Sequence, residues 1–227
     1  MQRTVQAEFM DDEATGTIAD LRENLRDLAR INAWFGGTHS ILRAIDELPV
    51  MPRTILDVGC GGADVPRAVL KHLSSRGLQG AHYVALDRSA RVLSYAAAAV
   101  SGSDAISTVQ GDATALPFEA GSFDLVTCSL ALHHLAPAEA VQALSEMARV
   151  GAHVIVSDLR RSRVAWLAAH ALLPLITRNR FTLHDGPLSV RRAYTPDEVR
   201  SMAQHAGWTR IEVRGAFGAR LMLSGGR

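Results

Sequence analysis

The chain has 227 residues, 48% of them hydrophobic and 5% aromatic, and a formal net charge of +1. That length supports a full α/β core. A near-neutral balance with few aromatic platforms excludes general nucleic-acid binding, which draws on a strongly basic face and stacking side chains.

The opening stretch MQRTVQAEFMDDEATG has no apolar signal core, so secretion is not expected. Ile18, Leu21, Leu25, Leu28 and Ala29 recur at helical spacing, and Gly36-Gly37 ends that helix. A second helix starts at 38–40, carries Ile41, Leu42, Ile45 and Leu48, and stops before Pro49 and Pro52. Residues 1–50 therefore form an N-terminal helical cover. It either packs against the sheet or closes over a ligand, with Trp34 and Phe35 near it.

Thr54 to Val58 reads as a buried parallel strand that collapses into the glycine-dense turn Gly59-Cys60-Gly61-Gly62. Val65, Ala68, Val69 and Leu73 then follow a helical pattern. Strand, glycine turn and helix make a nucleotide-type site at the carboxyl edge of a doubly wound sheet. A dinucleotide fingerprint anchored on Gly59 and Gly61 needs glycine at 64, where pyrophosphate meets the helix N-terminus. Asp64 stands there instead, and Asp57 sits at the strand end. Two acids repel phosphate and suit a cationic ligand. Leu56-Asp57-Val58-Gly59-Cys60-Gly61 resembles motif I of class I S-adenosylmethionine (SAM) methyltransferases, whose cofactor carries a sulfonium and an ammonium but no phosphate. The third glycine of that motif falls at Ala63, whose extra methyl is expected to displace the turn slightly.

His82 to Asp87 reads as the second strand, with Asp87 placed to accept both ribose hydroxyls. Ile106 to Val109 is a short third strand, followed by Gln110-Gly111-Asp112-Ala113. In the resembling family an acid here accepts from the adenine amine, which implies that role for Asp112. Cys60, Arg88, Ala113 and Ser129 complete the candidate cofactor set with Asp57, Gly59, Gly61, Asp87 and Asp112. Ser122 to Ser129 is strand four, Pro137 opens a helix to about Val150, and His153 to Asp158 is strand five. Cys60 and Cys128 have neither disulfide nor zinc spacing and read as buried thiols of a cytoplasmic protein.

Residues 159–193 form an insertion with arginines at its ends (Arg160, Arg161, Arg163, Arg178, Arg180, Arg191, Arg192) and an apolar middle. It is placed to act as a lid for an apolar or aromatic acceptor. The arginines are either solvated or contact an anionic group. Val164 to Ile176 is too short to span a bilayer, so no stable membrane insertion is expected. Thr195-Pro196-Asp197-Glu198 is a capping box for a helix closed by Gly207, and Trp208 to Val213 and Arg220 to Leu223 fit the last strands.

Ser129-Leu130-Ala131-Leu132-His133-His134-Leu135, with Phe123-Asp124 before it and Glu146-x-x-Arg149-Val150 after it, resembles small-molecule methyltransferases near the ubiquinone/menaquinone biosynthesis group. The fold is thus expected to be α/β: a Rossmann-like, doubly wound, mostly parallel seven-stranded sheet over 51–227. The resemblance implies strand order 3-2-1-4-5-7-6 with the final strand antiparallel. It also implies a histidine, His133 or His134, as base with Asp158 as its partner; the two point in different directions, so one reaches the pocket. Imidazole near neutral pH suits deprotonation of a hydroxyl. His184-Asp185 is a second candidate pair. Structural roles remain open for all of these.

Absences narrow the chemistry. No Asn/Asp-Pro-Pro-Tyr tetrad follows strand four, which disfavours nucleobase and protein-amide acceptors. Ser129 and Asp158-Leu159 replace the acids of metal-dependent catechol methyltransferases, so hard oxygen ligands for Mg²⁺ are too few and no metal is expected. The expected function is SAM-dependent methyl transfer to a hydroxyl of a small, partly apolar or aromatic acceptor, with no nucleic-acid partner; a homodimer is compatible. Carbon methylation of a quinone-like or polyketide ring and a non-catalytic SAM-binding module are the alternatives.

Overall fold

The computed structural model describes residues 1–12, 14–216 and 219–227. Two helices come first, α1 (Ile18–Trp34) and α2 (Gly37–Asp46). α1 begins at Thr17, whose hydroxyl accepts the Asp20 N–H while the Asp20 carboxylate accepts the Thr17 N–H. Next come β1 (Thr54–Val58), α3 (Asp64–Ser75), β2 (His82–Asp87), α4 (Ala90–Val100), β3 (Ile106–Gln110) and β4 (Phe123–Ser129). A short 3-10 turn, Leu132–His134, leads into α5 (Pro137–Val150) and β5 (Gly151–Leu159). α6 (Arg163–Ile176), α7 (Arg180–Arg192), α8 (Pro196–His205), β6 (Arg210–Ala216) and β7 (Arg220–Gly226) complete the order.

The strands form one sheet in the order β3-β2-β1-β4-β5-β7-β6, and β7 runs antiparallel to both β5 and β6. Side chains alternate across it. Ile55, Tyr83 and Leu125 face a core shared with Ile41 and Ile45 of α2, Val69 of α3 and Ala96 of α4. Leu56, Val126 and Val156 face the opposite core, with Leu144 and Met147 of α5 and Val199 of α8. Each fully buried aliphatic chain contributes about 1.5–3 kcal/mol. Two such cores hold the helices on both faces, and no helix among the described residues is long and apolar enough to cross a membrane.

The strand expected from Trp208 begins at Arg210 instead. Trp208 is occupied elsewhere: its indole N–H donates to the Leu144 carbonyl at 2.9 Å and pins the α8–β6 link to α5.

The two N-terminal helices divide the roles that the sequence left open. α2 packs on the sheet, whereas α1 lies over the carboxyl edge beside α7. Asn24, Leu28, Ile31 and Phe35 face the cavity at this edge, but Trp34 is 64% exposed. Adjacent helical residues are turned about 100° apart, so Phe35 and Trp34 cannot share that face. A buried polar network ties α1 to the insertion. The Asp27 carboxylate accepts from the Thr177 hydroxyl and, at 3.0 Å, from the Thr182 hydroxyl, which in turn accepts from Asn24 at 3.1 Å.

Candidate active site

The strand order switches direction beside β1, and a cavity of about 820 Å³ opens there between the strand ends, α1 and the α6–α7 arm. Ligand sites commonly span about 300–1,000 Å³. This one has room for a cofactor and an acceptor together. Asp57, Gly59, Cys60, Gly61, Asp87, Arg88, Asp112, Ala113, Ser129, His133 and His134 all line it, and Asp158 stands behind His133.

The glycine turn is pinned by two bonds, from the Gly59 and Cys60 N–H groups to the Leu86 carbonyl at 2.8 and 2.9 Å. Gly59 has φ +75°, and a Cβ there would stand 2.5 Å from Ala131 Cβ. Ala63 takes φ +56° at the start of α3. The alanine therefore adopts the left-handed conformation that glycine accepts freely, at about 1–3 kcal/mol of strain.

Asp57 is buried, and its carboxylate accepts from the Thr127 hydroxyl at 2.6 Å. Burial pushes its carboxyl up to about 7, against the pull of Thr127 and aided by the Asp64 and Asp87 charges. Burial also raises Asp87, whose two oxygens accept the Gly61 and Ser89 N–H groups at 3.1 and 3.0 Å. Asp112 is exposed at the rim, and hydrogen bonds from the Thr114 hydroxyl and N–H hold its carboxyl below the usual range. Arg220, 1% exposed, also lines the cavity, with Nε and one terminal nitrogen lacking hydrogen-bond partners. Burial lowers its pKa to about 10 despite Asp158 and Asp64. Gly37 leaves the room it needs, since a Cβ there would come 2.5 Å from Arg220 Cζ. Acids for a cation, a buried guanidinium with idle donors for a carboxylate, and a bare-backbone turn fit the zwitterionic nucleoside SAM.

At the end of β4 the 3-10 turn presents both histidines to the cavity, contrary to the expectation that one would turn away. Their rings lie 4.3 Å apart at 35°. The first segment of the chain folds over them. His133 Nδ1 donates to Asp158 at 2.6 Å, and Asp158 also accepts the His133 and Leu159 N–H groups. Although burial opposes it, His133 and these donors hold the Asp158 carboxyl below its usual range. An ionised acceptor at Nδ1 orients the ring and turns Nε2 toward Glu8. His134 Nδ1 bonds Asp11 at 2.6 Å, and against the downward pull of burial Asp11 and Glu8 raise its pKa.

Glu8, Asp11, Arg3, Arg192 and Arg220 were not singled out in the sequence as site residues. Arg3 donates to the carbonyls of Arg192, His133 and Leu135 at 2.7, 3.1 and 2.7 Å, strapping the N-terminal segment across the histidine turn. Arg192, read in sequence only as one of a basic group, is buried and bonds Asp11 and the His134 carbonyl. Most of the other lid arginines are exposed. Only the acids clustered at Glu8, Asp11 and Asp12 hinted at a polar role for the opening segment, and nothing in them named a partner. His184 bonds Asp185 at 2.7 Å and stacks on Phe9 at 3.7 Å, while Asp185 accepts the Phe9 and Met10 N–H groups. That pair anchors the strap.

A family model described as "Methyltransferase domain" matches residues 55–169. The chain belongs to this family, and its cofactor is S-adenosyl-L-methionine. It is 30% identical over 170 residues to the ubiquinone biosynthesis O-methyltransferase of Cupriavidus pinatubonensis, covering 72% of this chain and 63% of that protein. The same-named protein of Ralstonia nicotianae is 30% identical over 174 residues, covering 74% of this chain and 67% of that one. Among solved structures, a SAM-dependent methyltransferase from Aquifex aeolicus has the same fold, with TM-score 0.65, 17% identity and coverage of 90% and 97%.

Proposed function

We propose that the chain transfers the methyl group of SAM to a hydroxyl of a small, partly apolar or aromatic acceptor, and that the hydroxyl gives up its proton at His133. The observation that carries this is the histidine turn. An imidazole fixed by a buried aspartate faces the cavity at the end of β4, beside the apolar α6 wall of Ala165, Ala169, Leu172 and Leu173. The cofactor supplies an electrophilic methyl on its sulfonium. Asp87 takes the ribose hydroxyls, Asp112 the adenine amine, Asp57 and its neighbours the cationic end, and Arg220 the carboxylate. The wall of α1 and the lid 159–193 exclude water and hold the acceptor in line, within about 3–3.5 Å of the methyl. The names of the two relatives support oxygen as the methylated atom. Two free, buried cysteines suit a cytoplasmic location.

The test is turnover of SAM with phenolic acceptors bearing apolar substituents, with the product's methyl located by NMR. His133→Ala should lower turnover by about 10²–10⁴-fold, the range of general-base assistance, while S-adenosylhomocysteine (SAH) still binds. A methyl found on ring carbon, or full turnover by a folded His133→Ala variant, overturns the reading.

A further inference from the structure

Removing one proton needs one imidazole nitrogen. This wall of the cavity aims three ligand atoms at one place. With both Nδ1 atoms on aspartates, the two Nε2 atoms face a single carboxylate. His133 Nε2 lies 3.7 Å from one oxygen of Glu8, and His134 Nε2 lies 3.8 Å from the other. These gaps are too long for hydrogen bonds. Ligand atoms of the three residues nevertheless all lie within 4.8 Å of one another. Bonds of about 2.0–2.2 Å to a tetrahedral ion put its ligands roughly 3.4 Å apart, so small side-chain shifts close the set.

A second observation points the same way. Glu8 is 4% exposed, and its Oε1 has no hydrogen-bond partner. The Arg192 Nε, 3.7 Å from that oxygen, is also unpartnered. The buried carboxylate thus stands between the two imidazoles, one oxygen toward each, and its Oε1 is hydrogen-bonded neither by His133 nor by the Arg192 guanidinium beside it, which leaves it free to meet a cation. The groups touching the cluster agree in charge. Glu8, Asp11 and Asp158 are three carboxylates against the two guanidiniums of Arg192 and Arg3, net −1 before the imidazoles are counted. Carboxylate–histidine–metal relays use this arrangement, with the outer acid fixing the tautomer that leaves Nε2 to bind.

We propose that Glu8, His133 and His134 form a binding site for a zinc-class divalent transition-metal ion, with the open position toward the acceptor cavity. Two imidazoles and one carboxylate suit such an ion and are a poor set for Mg²⁺. An ion there takes an oxygen of water or of the acceptor as its fourth ligand. With an ion bound, a coordinated acceptor hydroxyl would lose its proton to solvent and His133 Nε2 would act as a ligand; the transfer of that proton to His133 proposed above is the metal-free case. That role in methyl transfer rests on the function proposed above, whereas the binding itself does not.

The experiment is calorimetric titration of the full-length, chelator-stripped protein with Zn²⁺, and with Co²⁺ read by its visible absorbance. One equivalent should bind, with the intense bands of a four-coordinate cobalt site. Glu8→Gln and His134→Ala should each weaken binding at least ten-fold, and Asp11→Asn about 10–100-fold as an outer-shell change. His72→Ala, which alters a remote surface pair with Asp46, should bind as wild type does. SAH titration of each variant reports whether it is folded and keeps the cofactor site. Absence of binding, binding unchanged in folded Glu8→Gln, or loss of binding in folded His72→Ala overturns the site. Stoichiometric metal binding without turnover of any hydroxyl acceptor keeps the site and counts against the proposed reaction.

Discussion

Asp87 holds the glycine turn through one oxygen and the start of α4 through the other, so the proposed ribose acceptor is itself positioned by backbone N–H groups. Charge-assisted hydrogen bonds are worth about 1.5–3 kcal/mol each. Asp87→Ala should therefore weaken SAH binding roughly ten-fold or more. Calorimetry showing wild-type affinity would remove Asp87 from the cofactor site. Residues of this kind were legible in the sequence because strand ends are local: an acid at a strand's last position faces the crevice wherever the strand is placed. Glu8 and Asp11 were not legible. Asp11 meets His134 across 123 positions of chain, and no local pattern encodes such a meeting.

At the scale of elements, what joins the N-terminal cover to the lid is a polar network. Asp27, 2% exposed, serves both Thr177 at the end of α6 and Thr182 in α7. Asp27→Ala would leave two hydroxyls buried without their acceptor, at a cost of about 2–4 kcal/mol. A urea midpoint shifted down by that amount, with faster tryptic cleavage at the exposed Arg178 and Arg180, is the expected result. Unchanged stability and cleavage would show that apolar packing alone holds the lid. Helix and strand positions were readable from periodicity, and the family resemblance supplied the strand order. The reading of Trp34 failed for a geometric reason. The sequence gives helical spacing, yet which side meets the ligand depends on where the whole helix is laid down.

For the molecule as a whole, Asp57 ties stability to pH and, on the proposed site, ties cofactor binding to both. An unfolded aspartate ionises near 4, and the folded one near 7. Between those values the folded chain keeps a proton that the unfolded chain has lost. Asp57's contribution to stability therefore falls as pH rises through this window. A bound cation favours the ionised form, so SAM should bind more tightly as pH rises toward 7 and should release a proton on binding near pH 6. Calorimetry at pH 6 in two buffers of different ionisation enthalpy measures that proton. Identical heats would place the cationic end of SAM away from Asp57.

The strap has a consequence for folding. Arg3 reaches the carbonyls of His133 and Arg192, Thr4 bonds the Arg191 carbonyl, and Arg220 closes the cavity from the last strand. The strap thus needs segments 189 positions apart to meet before the pocket is complete. Contacts this distant along the chain form late and slowly. A chain whose β7 has not yet docked carries the glycine turn but lacks the Arg220 side of the pocket. Readiness to react is thereby deferred until β7 joins the sheet.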